Sequence, residues 1–278
     1  MKKLMIITCL GLFLVITCKK AVNHPRSKES NSDLDSVTIH DTIGIADAAC
    51  FIYSSRILYF PFIHNKQLLN QIYFKYKNTG NFSKPELKIN EERELRGHYD
   101  RLKKLSKNKN IQGLWSFKNE MQLKYILNGF MYIRYTNMAK EGDRRYRCVY
   151  VDKVFDLMHN KEVELSDVTT LPKKALFALL KKNMDNIFFG VTEEDPKKAT
   201  PTHHRFVLRG FREISHVNNF YFDKKGLYFH YNPYELTASS PVDVVISVYW
   251  KQLGSSVQPE FKKRMNISDS PSEDDDEF

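Results

Sequence analysis

Cysteine is scarce in this chain, with four in 278 residues. Cys9 and Cys18 belong to an apolar leader, which leaves Cys50 and Cys148 for the folded body. No Cys-x-x-Cys occurs, so neither the usual redox motif nor a cysteine zinc site is signalled. His-Glu-x-x-His, Gly-x-Ser-x-Gly, a phosphate loop and a dinucleotide fingerprint are also lacking. These absences remove the familiar signatures of metal, acyl-transfer and nucleotide chemistry, and no cofactor is expected. No internal repeat is evident, which excludes a solenoid or propeller.

What is present begins with the leader. Lys2 and Lys3 are followed by an apolar run, Leu4 to Thr17, then by Cys18, Lys19 and Lys20. Charge, apolar stretch and small residue in that order make a secretory signal. The run is shorter than the roughly 20 residues a spanning helix needs. Val15-Ile16-Thr17-Cys18 resembles a bacterial lipobox, with Thr17 in place of the more usual Gly, Ala or Ser. That resemblance implies cleavage before Cys18 and acylation of its thiol, palmitate included. An uncleaved anchor or plain secretion are the alternatives. Acyl chains contribute about 0.8 kcal/mol per buried CH2, enough in combination to hold a protein on a bilayer. Lys19 after the cysteine favours the outer membrane of a Gram-negative bacterium. Outside the cytoplasm Cys50 and Cys148 have two open fates, a disulfide or two free thiols.

Charge is unevenly distributed. The last eleven residues, Ser268–Phe278, hold six carboxylates and no base. Without them the formal charge rises from +10 to +16, and without Lys2 and Lys3 it is +14. A basic body suits an anionic surface or ligand. Basic residues interleaved with aromatics are also a nucleic-acid signature, but an envelope address argues against that partner.

The pattern divides the chain into signal peptide (1–18), polar tether (19–36), N-terminal module (37–145), C-terminal domain (146–254) and acidic tail (255–278). Val37–Ile45 and Phe51–Phe62 read as strands, His64–Tyr76 as a helix, and Pro85 opens a longer helix. Ile111–Phe117, Gln122–Leu127, Phe130–Thr136 and Arg144–Leu157 read as further strands. Pro172 starts a helix with an apolar stripe at Leu176, Leu180, Met184 and Ile187. Asn219–Phe222 and Leu227–Tyr231 form a hairpin whose Gly226 is expected to supply a positive φ. Val242, Val244, Ile246, Val248 and Trp250 alternate as the buried face of a closing strand. The fold class is α+β, a mixed or antiparallel sheet packed with two or three helices.

A family resemblance rests on these later blocks. Val154-Phe155-Asp156-Leu157, Asn160-Lys161 and Glu164-Leu165-Ser166-Asp167 are similar to the entry of a known extracytoplasmic domain. Phe220 to Phe229, Tyr231-Asn232-Pro233-Tyr234-Glu235-Leu236 and Pro241–Leu253 resemble its hairpin and last strand. It is the C-terminal domain of RsiV-type anti-sigma factors. Tyr59-Phe60-Pro61 and Leu68 to Ile72 faintly resemble the N-terminal module of PdaC-type peptidoglycan deacetylases. The resemblance implies an RsiV-like fold and, since RsiV-type domains bind lysozyme, a lysozyme-like protein as one partner. Met1-Lys2-Lys3 cannot be a cytoplasmic sigma-binding segment, so that role is not carried over. Asn160 stands where the family has Gly, and it too tolerates left-handed backbone.

Candidate chemistry is sparse. His203-His204 point to opposite sides of an extended chain and suit a surface loop better than one metal. His216 and His230 lie near strands, where hydrogen-bonded histidines are common. Asp152 and Asp156, with Glu162 and Glu164, read as a solvated sheet face before they read as an acid–base pair. Tyr221, Tyr228, His230 and Tyr234 are denser than a core requires and are the candidate ligand-binding residues, tyrosine pairing area with a polar tip. The expectation is a lipid-anchored envelope protein, non-catalytic, that recognises a protein or an anionic glycan. The alternative is a glycan-modifying hydrolase with an unrecognised carboxylate pair. Common lysozymes are basic, so a +14 body loses long-range steering toward them; an anionic glycan fits better.

Overall fold

Strict alternation builds the first pairing. Strand β2 (Ala49–Leu58) turns Ala49, Phe51, Tyr53, Ser55 and Ile57 inward, and β1 (Ser36–Ala46) runs antiparallel beside it. The structure, a computed structural model, describes residues 34–46, 49–76, 80–108, 111–189, 214, 216–236 and 242–268. The leader with Cys9 and Cys18, His203-His204 and the acidic residues after 268 lie outside the described residues.

After β2 the chain crosses over through α1 (Lys66–Ile72) and α2 (Lys84–Asn108). Asn65 caps α1, its side-chain oxygen accepting from Leu68 N at 2.9 Å. Glu86 in the first turn of α2 accepts from the backbone N–H groups of Gly80, Asn81 and Phe82. Those bonds hold its carboxyl below the usual range. Strand β3 (Gly113–Leu127) then lies parallel to β2, as a crossover allows. It continues through a hairpin into β4 (Phe130–Glu141), then β5 (Arg147–Asp156) and the short β6 (Lys161–Glu162). The six strands pair in sequence order. Where the pattern suggested two strands before Phe130 there is one, because the polar residues Lys118, Asn119 and Glu120 between them stay paired with Met138, Asn137 and Thr136, the register shifting later, between Leu123 and Tyr125. Asn160 has φ 54°, the left-handed value expected there.

The chain then forms α3 (Leu165–Val168), α4 (Lys173–Phe189) and a second, antiparallel sheet. That sheet contains β7 (Phe220–Phe222), β8 (Gly226–Tyr231) and β9 (Val244–Tyr249) in that order. After it come α5 (Trp250–Leu253) and α6 (Pro259–Met265). Val242, expected in the buried face of the closing strand, is exposed at 59%, while Ile246 and Val248 are fully buried and Trp250 begins α5. The stretch after 254, assigned to the tail by charge, includes α6, because Phe261 and Met265 share one apolar face at i,i+4 spacing and are buried.

The six-stranded sheet buries both faces. Met121, Met131, Ile133, Tyr135 and Phe155 pack with α1, and Phe51 and Tyr53 with Leu102 of α2. On the opposite face Phe130, Tyr132 and Val154 meet Leu176 and Leu180 of α4 and Phe222, Leu227 and Phe229 of the hairpin. The described residues all fall in one compact unit, and β4 and β5 pair across the expected module boundary at 145/146.

Gly226 does not have the positive φ expected of it. Its role is close approach: a Cβ there would lie 2.6 Å from the Val248 carbonyl oxygen and 3.0 Å from Tyr249 Cα. Both are backbone atoms and cannot swing aside. Gly226→Ala is therefore expected to cost about 1–3 kcal/mol, as overpacking does, measured as a lower urea midpoint.

Candidate functional site

The hairpin residues singled out by sequence form a joint between the two sheets. Arg134 on β4 binds Asp152 on β5 in bidentate fashion, with Nε to Oδ1 at 2.7 Å and Nη2 to Oδ2 at 3.1 Å. The Tyr132 hydroxyl donates to the same Oδ1 at 2.6 Å. His230 on β8 places Nδ1 2.5 Å from Asp152 Oδ2 and Nε2 2.9 Å from Asp243 Oδ2. Both ring nitrogens face carboxylates, so the imidazolium is the form that satisfies the site. Burial opposes that charge, but the bonds to Asp152 and Asp243 outweigh it and raise the His230 pKa. Burial likewise opposes the Asp152 charge, and His230 and Arg134 overcome it, holding the carboxyl down at about 2. Arg134 Nη2 also comes within 3.3 Å of His230 Nδ1, two donors turned toward one carboxylate.

Two asparagines complete the joint. Asn219 accepts from Asp152 N at 2.6 Å and donates to the carbonyls of Tyr150 and His230. Asn232 accepts from Tyr150 N at 2.6 Å. Side-chain amides thus satisfy β5 backbone groups that no strand covers. Tyr221 is stacked between Tyr132 (4.7 Å, 6°) and Tyr228 (5.0 Å, 11°). Tyr228 and His230 are 2% and 1% exposed, whereas Tyr234 is half-buried with the Arg145 guanidinium 6.0 Å from its ring centre. Three of the four hairpin candidates therefore serve the interior, and Tyr234 lies nearer the surface. His216 pairs with Glu235.

Asp152 and Asp156 are buried rather than part of a solvated face. Asp156 binds Arg264 Nη1 at 2.5 Å and His159 Nδ1 at 2.8 Å and accepts from two backbone N–H groups. This arrangement borders an open cleft of about 410 Å³ with Lys161, Asp167 and Glu260. Its cations are engaged locally, Lys161 with Asp167 at 2.6 Å and Arg264 with Asp156, which ties α6 to the turn after β5. Cys50 and Cys148 are free thiols. They sit on β2 and β5, three strand spacings or about 14 Å apart across the sheet, and Cys148 is in register with Ser54 rather than Cys50, beyond disulfide reach; the bond left open by the sequence is not made.

The other cleft, about 320 Å³, lies on the opposite face of the large sheet, beside α2. Cross-strand register constructs its floor. Phe117 pairs with Ala139, and Ala139 with Arg147; Asn119 pairs with Asn137, and Asn137 with Val149. Glu94 and His98, one turn apart on α2, form a wall with Lys75. His98 stacks on Phe117 at 4.0 Å, Lys75 Nζ donates to Asn137 Oδ1, and Asn119 donates to Glu94 at 3.4 Å. Arg101 lies 5.3 Å from the Phe117 ring centre, and Arg147 is exposed.

Burial drives the cleft groups toward their neutral forms. It lowers the Lys75 pKa, lowers His98 to about 4 with help from Arg101, and raises Glu94 with help from Glu91. Glu91 itself is fully buried and accepts from the Tyr53 and Tyr76 hydroxyls. None of these residues was marked as a site by the sequence. Their signal is register across β3, β4 and β5, which no local motif carries. Among the described residues no cluster of three or more His, Cys, Asp or Glu side chains is placed to hold a metal.

Fold and joint together define a class: a six-stranded mixed sheet locked by a buried ionic network to a three-stranded hairpin sheet. Residues 166–251, from α3 into α5, match a family described as a protein of unknown function, DUF3298. A solved member of that family from Bacteroides fragilis is 20% identical, with a TM-score of 0.62 over 84% of this chain and 96% of its own. A DUF3298 family protein from Pseudomonas aeruginosa is 12% identical, with a TM-score of 0.55 over 83% of this chain and 97% of its own. At such identities the likeness is one of fold. No curated protein matches the chain. The matched segment contributes Asn219, His230 and Asp243 to the joint; Arg134, Asp152 and the cleft beside α2 lie outside it.

Proposed function

We propose that this chain is a lipid-anchored cell-envelope protein, held by an acylated Cys18, whose RsiV-like body binds a ligand without transforming it. The ligand is a protein or an anionic glycan, with the glycan favoured. The observation that carries this reading is the cleft beside α2: amide, amine and carboxyl groups converge on it beneath an arginine-bearing rim. The +14 body supports an anionic partner by steering. A hydrolase of the two-carboxylate kind requires two carboxyl groups facing one bond. Here Glu94 borders the cleft while Glu91 is sealed behind it and engaged by two tyrosines, and in the other cleft Asp156 and Asp167 are held by Arg264 and Lys161, which favours binding over hydrolysis.

Two measurements test the reading. Wild-type cells grown with labelled palmitate should yield labelled protein in the outer-membrane fraction, and Cys18→Ser should yield neither label nor membrane partition. Labelling of Cys18→Ser at the wild-type level would remove the anchor. The purified full-length protein should bind lipopolysaccharide at low salt and bind it less at physiological salt, as charge-driven association does. Tight, salt-resistant binding to lysozyme instead would make the partner a protein.

A further inference from the structure

We infer that the cleft beside α2 is a sugar subsite shaped for one ring that carries a carboxylate. The inference rests on the glycan reading above and names the site and the chemistry of its occupant. Four features of the cleft point the same way.

The polar groups offer both donors and acceptors. Asn119 and Asn137 stand side by side on neighbouring strands, with Lys75 and Glu94 at their ends. A hydroxyl both gives and takes a hydrogen bond, so a polyol satisfies such a row where an ion of one sign would not. Second, the groups inside are biased toward neutral forms by burial. A phosphate seated on the floor would lie against Glu94 without a fixed pair of cations. Third, Phe117 carries the His98 ring on its face and is bordered by Ala139, whose small side chain leaves room on the floor. Aromatic edge and methyl together give the C–H side of a pyranose an apolar rest. Fourth, the charge is at the rim. Arg147 gives Nη2 to Glu141 at 3.1 Å yet remains 68% exposed, with further N–H groups for a carboxylate. A volume of about 320 Å³ is at the small end of ligand sites, which fits one ring of a longer chain rather than the whole chain.

Calorimetric titration of the purified full-length protein tests this with a galacturonate oligomer and the matching neutral galactose oligomer. The galacturonate oligomer should bind, and the neutral one more weakly. Ala139→Leu fills the floor and should abolish binding of both. Arg147→Gln should weaken galacturonate binding about tenfold, the scale of one charge-assisted hydrogen bond, and leave the neutral oligomer unchanged. Circular dichroism and the thermal midpoint report whether each variant folds; Arg147 is exposed, so its variant is informative even if Ala139→Leu does not fold. Unchanged galacturonate affinity in every variant that folds would overturn the subsite while leaving the glycan reading in place. Binding to lipopolysaccharide or lysozyme without binding to either oligomer would do the same. Failure of the wild type to bind any of the four would overturn both.

Discussion

Asp152→Asn is expected to lower the unfolding free energy by about 3–5 kcal/mol, the usual loss when one partner of a buried ion pair is removed. The Asp152 side chain is fully buried and accepts from Arg134, Tyr132 and His230 at once. Asparagine keeps the shape but not the charge, so a guanidinium and an imidazolium are left facing a neutral amide. The joint between the sheets should loosen first, visible as faster amide exchange at Tyr150 and at position 152, whose backbone N–H groups donate to Asn232 and Asn219. A drop in the denaturant midpoint equivalent to less than about 1 kcal/mol, the scale of an exposed pair, would show that the network contributes little.

The same network sets a pH window. His230 has a raised pKa in the fold, so its contribution is complete below the ring's ordinary 6.5 and is lost as pH climbs through the raised value. Asp152 is held at about 2, so its contribution is complete above its ordinary 3.8 and is lost as pH falls toward 2. Stability measured from pH 3 to 9 should therefore be greatest between about 4 and 6.5 as far as this joint decides it. In His230→Gln the decline on the alkaline side should flatten. An unchanged alkaline slope in that variant would place the titration elsewhere.

Much of the architecture is legible in local sequence. The hairpin around Asp223 to Gly226, the apolar stripe of α4 and the two helices before β3 all follow from periodicity and turn residues, because those signals are confined to a few neighbouring positions. What escapes is anything set by strand order. Arg134, Asp152, His230 and Asp243 are spread over more than a hundred residues, and only the pairing of β4 with β5 and the seating of β8 bring them together. Alternating carboxylates look solvated when read along one strand; Asp152 is buried because a second sheet covers it. The hairpin tyrosines look like a recognition surface for the same reason, since sequence shows their density and not the sheet they lean on. The cleft beside α2 is illegible by the same rule: Phe117, Asn137 and Arg147 acquire meaning only as cross-strand neighbours.

Phe261→Ala should cost about 3–5 kcal/mol, the range for emptying a buried phenylalanine site. Phe261 is 4% exposed, and its ring meets those of Phe222 at 4.8 Å and 89°, Trp250 at 5.5 Å and Phe130 at 5.6 Å. One side chain thereby touches the large sheet, the hairpin sheet and α5. The other holds on helix α6 are the buried Met265, Arg264 bonded to Asp156 and to the Asn128 carbonyl across the Phe130 face, and Gln258 at its entry, bonded to Val168 and Ser166. The helix is seven residues long, too short to persist on its own, so the loss of the ring should release it as a unit. The variant should therefore show increased proteolysis near residues 259–265 together with a lower denaturant midpoint. Phe261→Leu keeps most of the apolar volume and should recover more than half of the loss. If Phe261→Ala unfolds at the wild-type midpoint, the segment after Leu253 is an appendage and the core closes without it. The size of the effect would then decide whether a domain boundary belongs after the DUF3298 match at 251 or after α6 at 265.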